Sequence, residues 1–189
     1  MKMGNELRVS VLRLEPSPDA SRRIPRGEIL AGKRVRPTRH RMGMDITWLT
    51  DRIGVGGGIW TADNMAAVVR AGITHIIDMQ IEFDDTPLAN GHGVRVCWNP
   101  IDDDFEPKPA EVFERGVSFA LEALDTAGAK VFIHCAAGVH RAPMMALALL
   151  SVMGWPIEEA MDLIEARRPV ADFAEVYVRS VEDFLNGRR

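Results

Sequence analysis

The chain has 189 residues, 47% of them hydrophobic and 26% charged, and a net charge of −4 at neutral pH. This composition is typical of a globular domain of ordinary size, and the longest uncharged stretch, residues 142–157, is too short to span a bilayer. The two cysteines, Cys97 and Cys135, are too few for a disulfide framework or a thiolate metal site, so we expect a cytoplasmic protein.

Positive charge is concentrated at the start of the chain. Residues 1–43 hold 11 Lys and Arg against 4 Asp and Glu, whereas residues 44–189 hold 12 against 23, so balances of +7 and −11 sum to −4. The first segment has four prolines and no sustained apolar period. We interpret residues 1–43 as a flexible basic arm and residues 44–189 as one compact domain. Two alternatives stay open: the arm binds nucleic acid or an acidic surface, or translation begins at Met42 or Met44.

The domain is predicted to alternate strands with helices. Short apolar runs predict strands at residues 46–49, 53–55, 73–79, 94–98 and 131–134. Apolar residues at helical spacing predict helices at residues 61–71, 109–126, 143–153, 156–167 and 172–185. A glycine triplet at residues 56–58 lacks the spacing of a dinucleotide-binding motif and is interpreted as a turn. This order predicts a single α/β domain whose central, mostly parallel sheet is flanked by helices.

The stretch with the clearest chemical content is VFIHCAAGVHRAP, at residues 131–143. An apolar strand runs into Cys135, three small residues follow, and a helix is predicted to leave from Arg141. A strand, a small-residue loop and a helix N-terminus together bring successive backbone N–H groups around an anion. The alternative is a buried strand in which the cysteine is inert.

Such a loop suits a nucleophilic cysteine. Converging N–H dipoles, the helix terminus and a guanidinium all favour the thiolate form of Cys135. The same donors would hold the oxygens of a phosphoryl group, and the planar fork of Arg141 can bind two of them at once. Cys135 would then form a phosphocysteine that water hydrolyses. The reaction also needs an acid for the leaving oxygen, and the residues alone offer three candidates, Asp102, Asp103 and Asp104.

VFIHCAAGVHRAP, preceded by WNPIDDD and followed by EARRP, resembles the dual-specificity branch of the cysteine-dependent protein tyrosine phosphatases. The similarity covers roughly residues 45–185. It implies that family's fold and its hydrolysis of phosphate monoesters without metal or cofactor. Family enzymes carry the general acid in a Pro-hydrophobic-acid-Asp step upstream of the cysteine. The resemblance therefore places the acid at Asp103, with Asp102 and Asp104 as the other choices.

The resemblance also assigns the residues of the loop. His134 is expected to orient the loop through hydrogen bonds. Phosphate is expected to lie against a run of six loop residues, namely Ala136, Ala137, Gly138, Val139, His140 and Arg141.

Two positions of the motif differ from most of the family. Ser or Thr usually follows the arginine and helps the thiolate to leave phosphocysteine, whereas here Ala142 follows. Regenerating-liver phosphatases and plant starch phosphatases also carry Arg-Ala-Pro and are enzymes, so we expect slow breakdown of the intermediate rather than inactivity. His140 replaces a more usual Ser or Gly. It is either an additional donor at the pocket mouth or a rim side chain without a role.

A phosphoprotein is the expected substrate, because it is the commonest one in this family; neither nucleic acid nor a membrane is expected as a partner. The loop has no lysine between Cys135 and Arg141, which argues against phosphoinositides. A phosphoglucan is the main alternative, because starch phosphatases share Cys-x-Ala-Gly-x-x-Arg-Ala-Pro. A module that recognises phosphate and hardly turns it over is the alternative from a different functional class.

Overall fold

The protein is described here from a computed structural model, in which residues 43–188 are described. Residues 1–43, which we interpret as a basic arm, lie almost entirely outside that range. Of the helices between residues 43 and 188, none combines the length and the apolar character needed to cross a bilayer.

Five strands form one sheet at the centre of the domain. They are β1 (Ile46–Trp48), β2 (Ile53–Gly56), β3 (His75–Gln80), β4 (Arg95–Ile101) and β5 (Val131–His134), in the spatial order β1-β2-β5-β3-β4. β1 pairs with β2 antiparallel, and the other three pairings are parallel. The predicted mostly parallel α/β sheet is therefore confirmed.

Six helices surround the sheet. They are α1 (Ala62–Arg70), α2 (Thr86–Ala89), α3 (Ala110–Leu124), α4 (Arg141–Val152), α5 (Ile157–Arg167) and α6 (Glu175–Gly187). Thr61 caps α1 by accepting a hydrogen bond from Asn64 N–H. α2 was not predicted, because a single turn is too short to show a helical period.

The two faces of the sheet pack against different helices. In β5, Val131 and Ile133 point into a large apolar cluster that includes α3, α4 and α6, whereas Phe132 points into a smaller cluster with α1. This alternation follows from the two-residue period of a strand. α4 lies in the middle of the large cluster, and its residues 141–150 are all buried. The loop that precedes α4 is therefore held between two fixed elements.

Two of the differences from the predicted helix boundaries affect the site. α4 begins at Arg141, where the loop motif placed the start of a helix and two residues before the start given by the apolar spacing, because Pro143 is tolerated within a first helical turn. Arg141 is thus part of the rigid helix rather than of the loop. α6 begins at Glu175 rather than at residue 172, so Asp172 lies in the connection before it and is available to the site.

Candidate active site

The site lies where three parallel strands end at the same edge of the sheet. β5 is followed directly by Cys135, β3 by a loop containing Glu82, and β4 by a loop containing Asp103. Because β5, β3 and β4 are neighbours and parallel, their carboxyl ends bring these side chains together. Cys135 is buried, with 1% of its surface exposed.

The backbone of the loop between β5 and α4 is turned so that its carbonyl groups face away from its centre. Five consecutive carbonyl oxygens accept hydrogen bonds from outside the loop. The donors are Gly58 N–H for Ala136, the Arg168 guanidinium for Ala137 and Gly138, Asp172 N–H for Val139 and Met144 N–H for His140. Since peptide N–H and C=O groups point in opposite directions, the N–H groups face inward.

These inward N–H groups are available to an anion. Within residues 43–188, the N–H groups of Ala136, Ala137, Val139 and His140 have no protein acceptor. Gly138 N–H donates to Cys135 Sγ over 3.2 Å. Successive N–H groups that face one sulfur atom and have no protein acceptor have the geometry of an anion site.

Arg168 fixes the shape of the loop from behind. Its Nε donates to Gly138 O over 2.6 Å, and its Nη2 donates to Ala137 O and, over 2.7 Å, to the Asp45 carboxylate. The hydrogen bond from Arg168 lowers the pKa of Asp45, so this pair stays charged. Gly138 has φ +66°, and a Cβ there would lie 2.4 Å from Arg168 Nη2. The loop therefore needs glycine at this position.

Arg141 is held at the pocket by an ion pair with Glu82. Its Nη1 and Nη2 each donate to a Glu82 oxygen over 2.8 Å, and Nη1 also donates to Ile101 O over 3.0 Å. Burial opposes the charge of Arg141, but Glu82, Cys135 and Asp103 together raise its pKa above the ordinary value. Its Nε is buried and has no partner among residues 43–188. One donor of the charged guanidinium thus remains free for a ligand.

Of the three candidate acids, Asp103 alone points into the site. Its Oδ2 lies 3.6 Å from Arg141 Nε and 3.1 Å from His140 Nδ1, and its Oδ1 accepts a hydrogen bond from Tyr177 over 3.0 Å. Asp102 and Asp104 are exposed, and Asp104 pairs with Lys108. Of these three aspartates, Asp103 is therefore the one that contacts both Arg141 and His140.

Tyr177 fixes the loop that carries Asp103. Its hydroxyl accepts a hydrogen bond from Phe105 N–H and donates one to Asp103. Burial, together with Asp103, raises the pKa of Tyr177 to about 12, so it remains a donor at every physiological pH. Phe105 has φ +57° and stacks on Tyr177 with ring centroids 5.7 Å apart. A non-glycine residue in this region is strained, and such strain is typical of functional loops.

His134 lies in a buried acidic cluster beneath the loop. Its side chain and those of Asp78 and Asp85 are fully buried, and His134 Nε2 lies 2.7 Å from Asp85 Oδ2 and 3.8 Å from Asp78 Oδ1. The three residues offer donor atoms of the type that binds metals. However, 2.7 Å is shorter than the ~3 Å between two ligand atoms of one divalent cation. The contact is better described as a close approach of an imidazole and a carboxyl group, and it places His134 against the loop after β3.

This cluster predicts how stability changes with pH. Burial raises the pKa of Asp78 from 3.8 to about 7, while His134 opposes the shift and Asp85 adds to it. Because the folded pKa is the higher one, the contribution of Asp78 is fully present below pH 3.8 and is lost as the pH rises to about 7. The loss amounts to at most about 1.4 kcal/mol per pH unit.

We therefore expect Asp78→Asn, which cannot ionise, to lose less free energy of unfolding than the wild type between pH 5 and pH 7. Urea unfolding at several pH values measures this difference, and the same substitution at the exposed Asp51 is the control. Equal slopes for wild type and Asp78→Asn would show that Asp78 ionises alike in the folded and unfolded chains.

Several contributors to the site were not predicted. They are Asp45, Glu82, Asp85, Arg168, Asp172 and Tyr177. One signal was available: Glu82 and Asp85 follow a strand that neighbours the cysteine strand, so their side chains belong to the same sheet edge.

The structure also places two further residues that the sequence analysis named, Ala142 and Cys97. Ala142 is buried in the first turn of α4, directly after Arg141. Cys97 is a free, half-buried thiol packed against the large apolar cluster, and burial raises its pKa. Neither residue adds a polar group to the site.

Known proteins resemble the chain in sequence. A family model described as dual specificity phosphatase, catalytic domain, matches residues 60–186. The phosphoglucan phosphatase DSP4, amyloplastic, of Castanea sativa is 24% identical over 166 residues, which are 80% of this chain and 44% of that protein. Human protein tyrosine phosphatase type IVA 3 is 31% identical over 99 residues, 51% of this chain and 56% of that protein. The chain thus spans about half the length of these relatives.

Solved structures resemble the fold. PTPMT1 in complex with PI(5)P superposes with a TM-score of 0.66 at 20% identity, over 75% of this chain and 95% of that one. DUSP15 gives a TM-score of 0.64 at 23% identity, over 75% of this chain and 88% of that one. At such identities the likeness establishes the architecture.

Proposed function

Since the chain belongs to the dual specificity phosphatase family, we propose that it hydrolyses phosphate monoesters through a phosphocysteine intermediate. The observation that carries the proposal is the position of Cys135 Sγ, in a loop whose N–H groups have no other acceptor within residues 43–188. The oxygens of a phosphoryl group in this loop would accept hydrogen bonds from those N–H groups and from Nε of Arg141.

The first step transfers the phosphoryl group to sulfur. The Cys135 thiolate attacks phosphorus, a P–S bond forms, and the P–O bond to the leaving group breaks. Asp103 gives its proton to the departing oxygen. Charge on the equatorial oxygens is balanced by Arg141, which Glu82 holds in place from the opposite side.

The second step returns the enzyme to its starting state. Water attacks the phosphocysteine, and Asp103, now a carboxylate, accepts a proton from that water. The P–S bond breaks, and the thiolate is stabilised again by Gly138 N–H. These residues supply a nucleophile, an acid–base group and an anion site, so neither step requires a metal or a cofactor.

A protein phosphomonoester is the substrate that the site favours. Glu82, Asp103 and Asp172 contact Arg141 and His140, which bound the loop, so carboxyl groups outnumber basic groups at the pocket mouth. Such a mouth repels polyanions such as nucleic acids and multiply phosphorylated lipids. A phosphoglucan is neutral apart from its phosphate and remains the second candidate, since a phosphoglucan phosphatase is among the relatives. The two free cysteines suit a reducing cytoplasm.

A substrate panel tests this proposal. p-Nitrophenyl phosphate, a phosphotyrosine peptide, a phosphoserine peptide, soluble phosphoglucan and short-chain PI(5)P are offered at equal phosphate concentration, with EDTA present throughout. Hydrolysis of p-nitrophenyl phosphate in EDTA with the highest kcat/KM on phosphotyrosine supports a protein phosphatase. A higher kcat/KM on phosphoglucan would change the proposed substrate and leave the proposed mechanism as it stands. Phosphopeptide binding without hydrolysis would instead identify a recognition module.

The alanine after Arg141 predicts a slow second step. A hydroxyl at this position would donate to the departing thiolate, and Ala142 has none. We expect Ala142→Ser to raise the steady-state kcat on p-nitrophenyl phosphate by about tenfold, because one hydrogen bond to a charged group contributes on the order of 1.4 kcal/mol. The initial burst of nitrophenolate should shrink in the same variant. A kcat that does not rise would show that thiolate departure is not slow.

A further inference from the structure

His140 lies between two carboxylates that come from different elements. Its Nδ1 is 3.1 Å from Asp103 Oδ2, in the loop after β4, and its Nε2 is 3.3 Å from Asp172 Oδ2, in the connection before α6. The side chain of His140 is 19% exposed, and the edge of its ring faces Phe105 at 5.1 Å between centroids. Both ring nitrogens are therefore used, and the ring is held in one orientation.

Proton counting limits what this arrangement can be. A carboxylate oxygen only accepts hydrogen bonds, so each of the two contacts needs a proton between nitrogen and oxygen. Two protons satisfy both contacts in three ways: both lie on an imidazolium, or a neutral imidazole carries one and either Asp103 Oδ2 or Asp172 Oδ2 carries the other. The imidazolium state and the state with a protonated Asp103 differ only by the position of one proton along a 3.1 Å contact.

We propose that His140 is a positioning residue that keeps a proton available to Asp103, with Asp172 fixing the imidazole. This inference rests on the proposed phosphatase activity. Without a shared proton, a carboxylate oxygen would face a nitrogen lone pair over 3.1 Å, which is unfavourable. The geometry of this contact therefore favours a proton held between Asp103 and His140.

The proton balance through the cycle is closed. Asp103 Oδ2 gives the shared proton to the leaving oxygen in the first step, while His140 stays neutral with Nε2–H donated to Asp172. In the second step Asp103 takes a proton from the attacking water, and the shared proton lies again between Oδ2 and Nδ1. No group outside the site is consumed.

The other charged groups around the pair do not replace this role. Tyr177 donates to the second oxygen of Asp103 and remains protonated, since its pKa is raised to about 12. Arg141 Nε lies 3.6 Å from Asp103 Oδ2 and carries a permanent charge. Lys108 is paired with Asp104, and Cys135 is the nucleophile. His140 is the group in this set whose ring nitrogen lies at hydrogen-bonding distance from Asp103 Oδ2 and can either donate or accept a proton there.

The test compares pH profiles of kcat/KM and kcat for wild type, His140→Asn and His140→Gln. Phenyl phosphate, a poor leaving group that needs the acid, is compared with p-nitrophenyl phosphate, which needs it little. We expect both variants to move the alkaline limb for phenyl phosphate by about one pH unit to lower pH, with about a tenfold loss of kcat at pH 7.5. The loss on p-nitrophenyl phosphate should be less than about threefold.

Two controls distinguish this role from a structural one. The same Asn substitution at the exposed His92 should leave both profiles unchanged. In an Asp103→Asn background, where no acid remains, His140→Asn should have almost no further effect on phenyl phosphate. Equal losses on both substrates, or equal losses with and without Asp103, would overturn the inference. A wild type without Cys135-dependent hydrolysis would instead overturn the phosphatase proposal itself.

Discussion

Cys135→Ser is expected to reduce the hydrolysis of p-nitrophenyl phosphate by about four orders of magnitude or more, because the reaction loses its covalent step. A serine hydroxyl is almost fully protonated at neutral pH, and within residues 43–188 no base contacts Cys135 Sγ to remove such a proton. The loop itself should survive the substitution, since Arg168, Gly58 and Asp172 hold its carbonyl groups. Steady-state kinetics measures the loss.

The second cysteine provides a matched control. Cys97 is a half-buried thiol with a pKa raised by burial, and it lies in β4, away from the loop. Cys97→Ser should retain nearly full activity. Tungstate, an inert phosphate mimic, should raise the melting temperature of Cys135→Ser as it does that of wild type, which would show that the anion site is intact. An active Cys135→Ser would refute covalent catalysis.

Asp103→Asn is expected to lower kcat on phenyl phosphate by about 10²- to 10³-fold, because the leaving phenolate then departs without a proton. The amide preserves the size of the side chain and can still accept the hydrogen bond from Tyr177. On p-nitrophenyl phosphate, whose leaving group is stable as an anion, the first step should change much less. The ratio of the two losses measures acid catalysis separately from any change in folding.

Asp102→Asn and Asp104→Asn are the matched controls for Asp103. All three aspartates lie in one loop, but Asp102 and Asp104 are exposed and do not contact Arg141 or His140. Each control should stay within about threefold of wild type on both substrates. If Asp102→Asn or Asp104→Asn lost much more activity on phenyl phosphate than on p-nitrophenyl phosphate while Asp103→Asn stayed active, the acid would be the residue replaced in that variant and not Asp103.

Much of the fold was predictable because its signals are local. The strand VFIH is recognisable from its β-branched and aromatic residues, and the parallel order follows from strands that alternate with helices. The cysteine and arginine of the site were predictable for a related reason. Seven consecutive residues, 135–141, carry the arrangement, so its chemistry can be inferred without knowing the rest of the chain.

The supporting residues were not predictable in the same way. Glu82 and Arg141 are 59 positions apart, and Arg168 and Asp45 are 123 apart, so nothing in the local pattern links them. An acid in a loop ordinarily faces solvent, and a tyrosine on an amphipathic helix ordinarily packs in the core. The role of His140 was likewise open in the sequence, since its partners Asp103 and Asp172 are 37 and 32 positions away.

The central claim is that the phosphoryl group passes through the sulfur of Cys135. It is tested most directly by mixing the enzyme with excess p-nitrophenyl phosphate, quenching by rapid denaturation, and analysing the peptides by mass spectrometry. The measurement is made on wild type and on Asp103→Asn, in which water is no longer activated and the intermediate should accumulate. The account predicts a burst of one nitrophenolate per active site and one phosphoryl group on the peptide containing Cys135, with none on that containing Cys97. The claim would be contradicted if both proteins released phosphate while Cys135 was never phosphorylated. It would also be contradicted if the phosphoryl group were found on another residue.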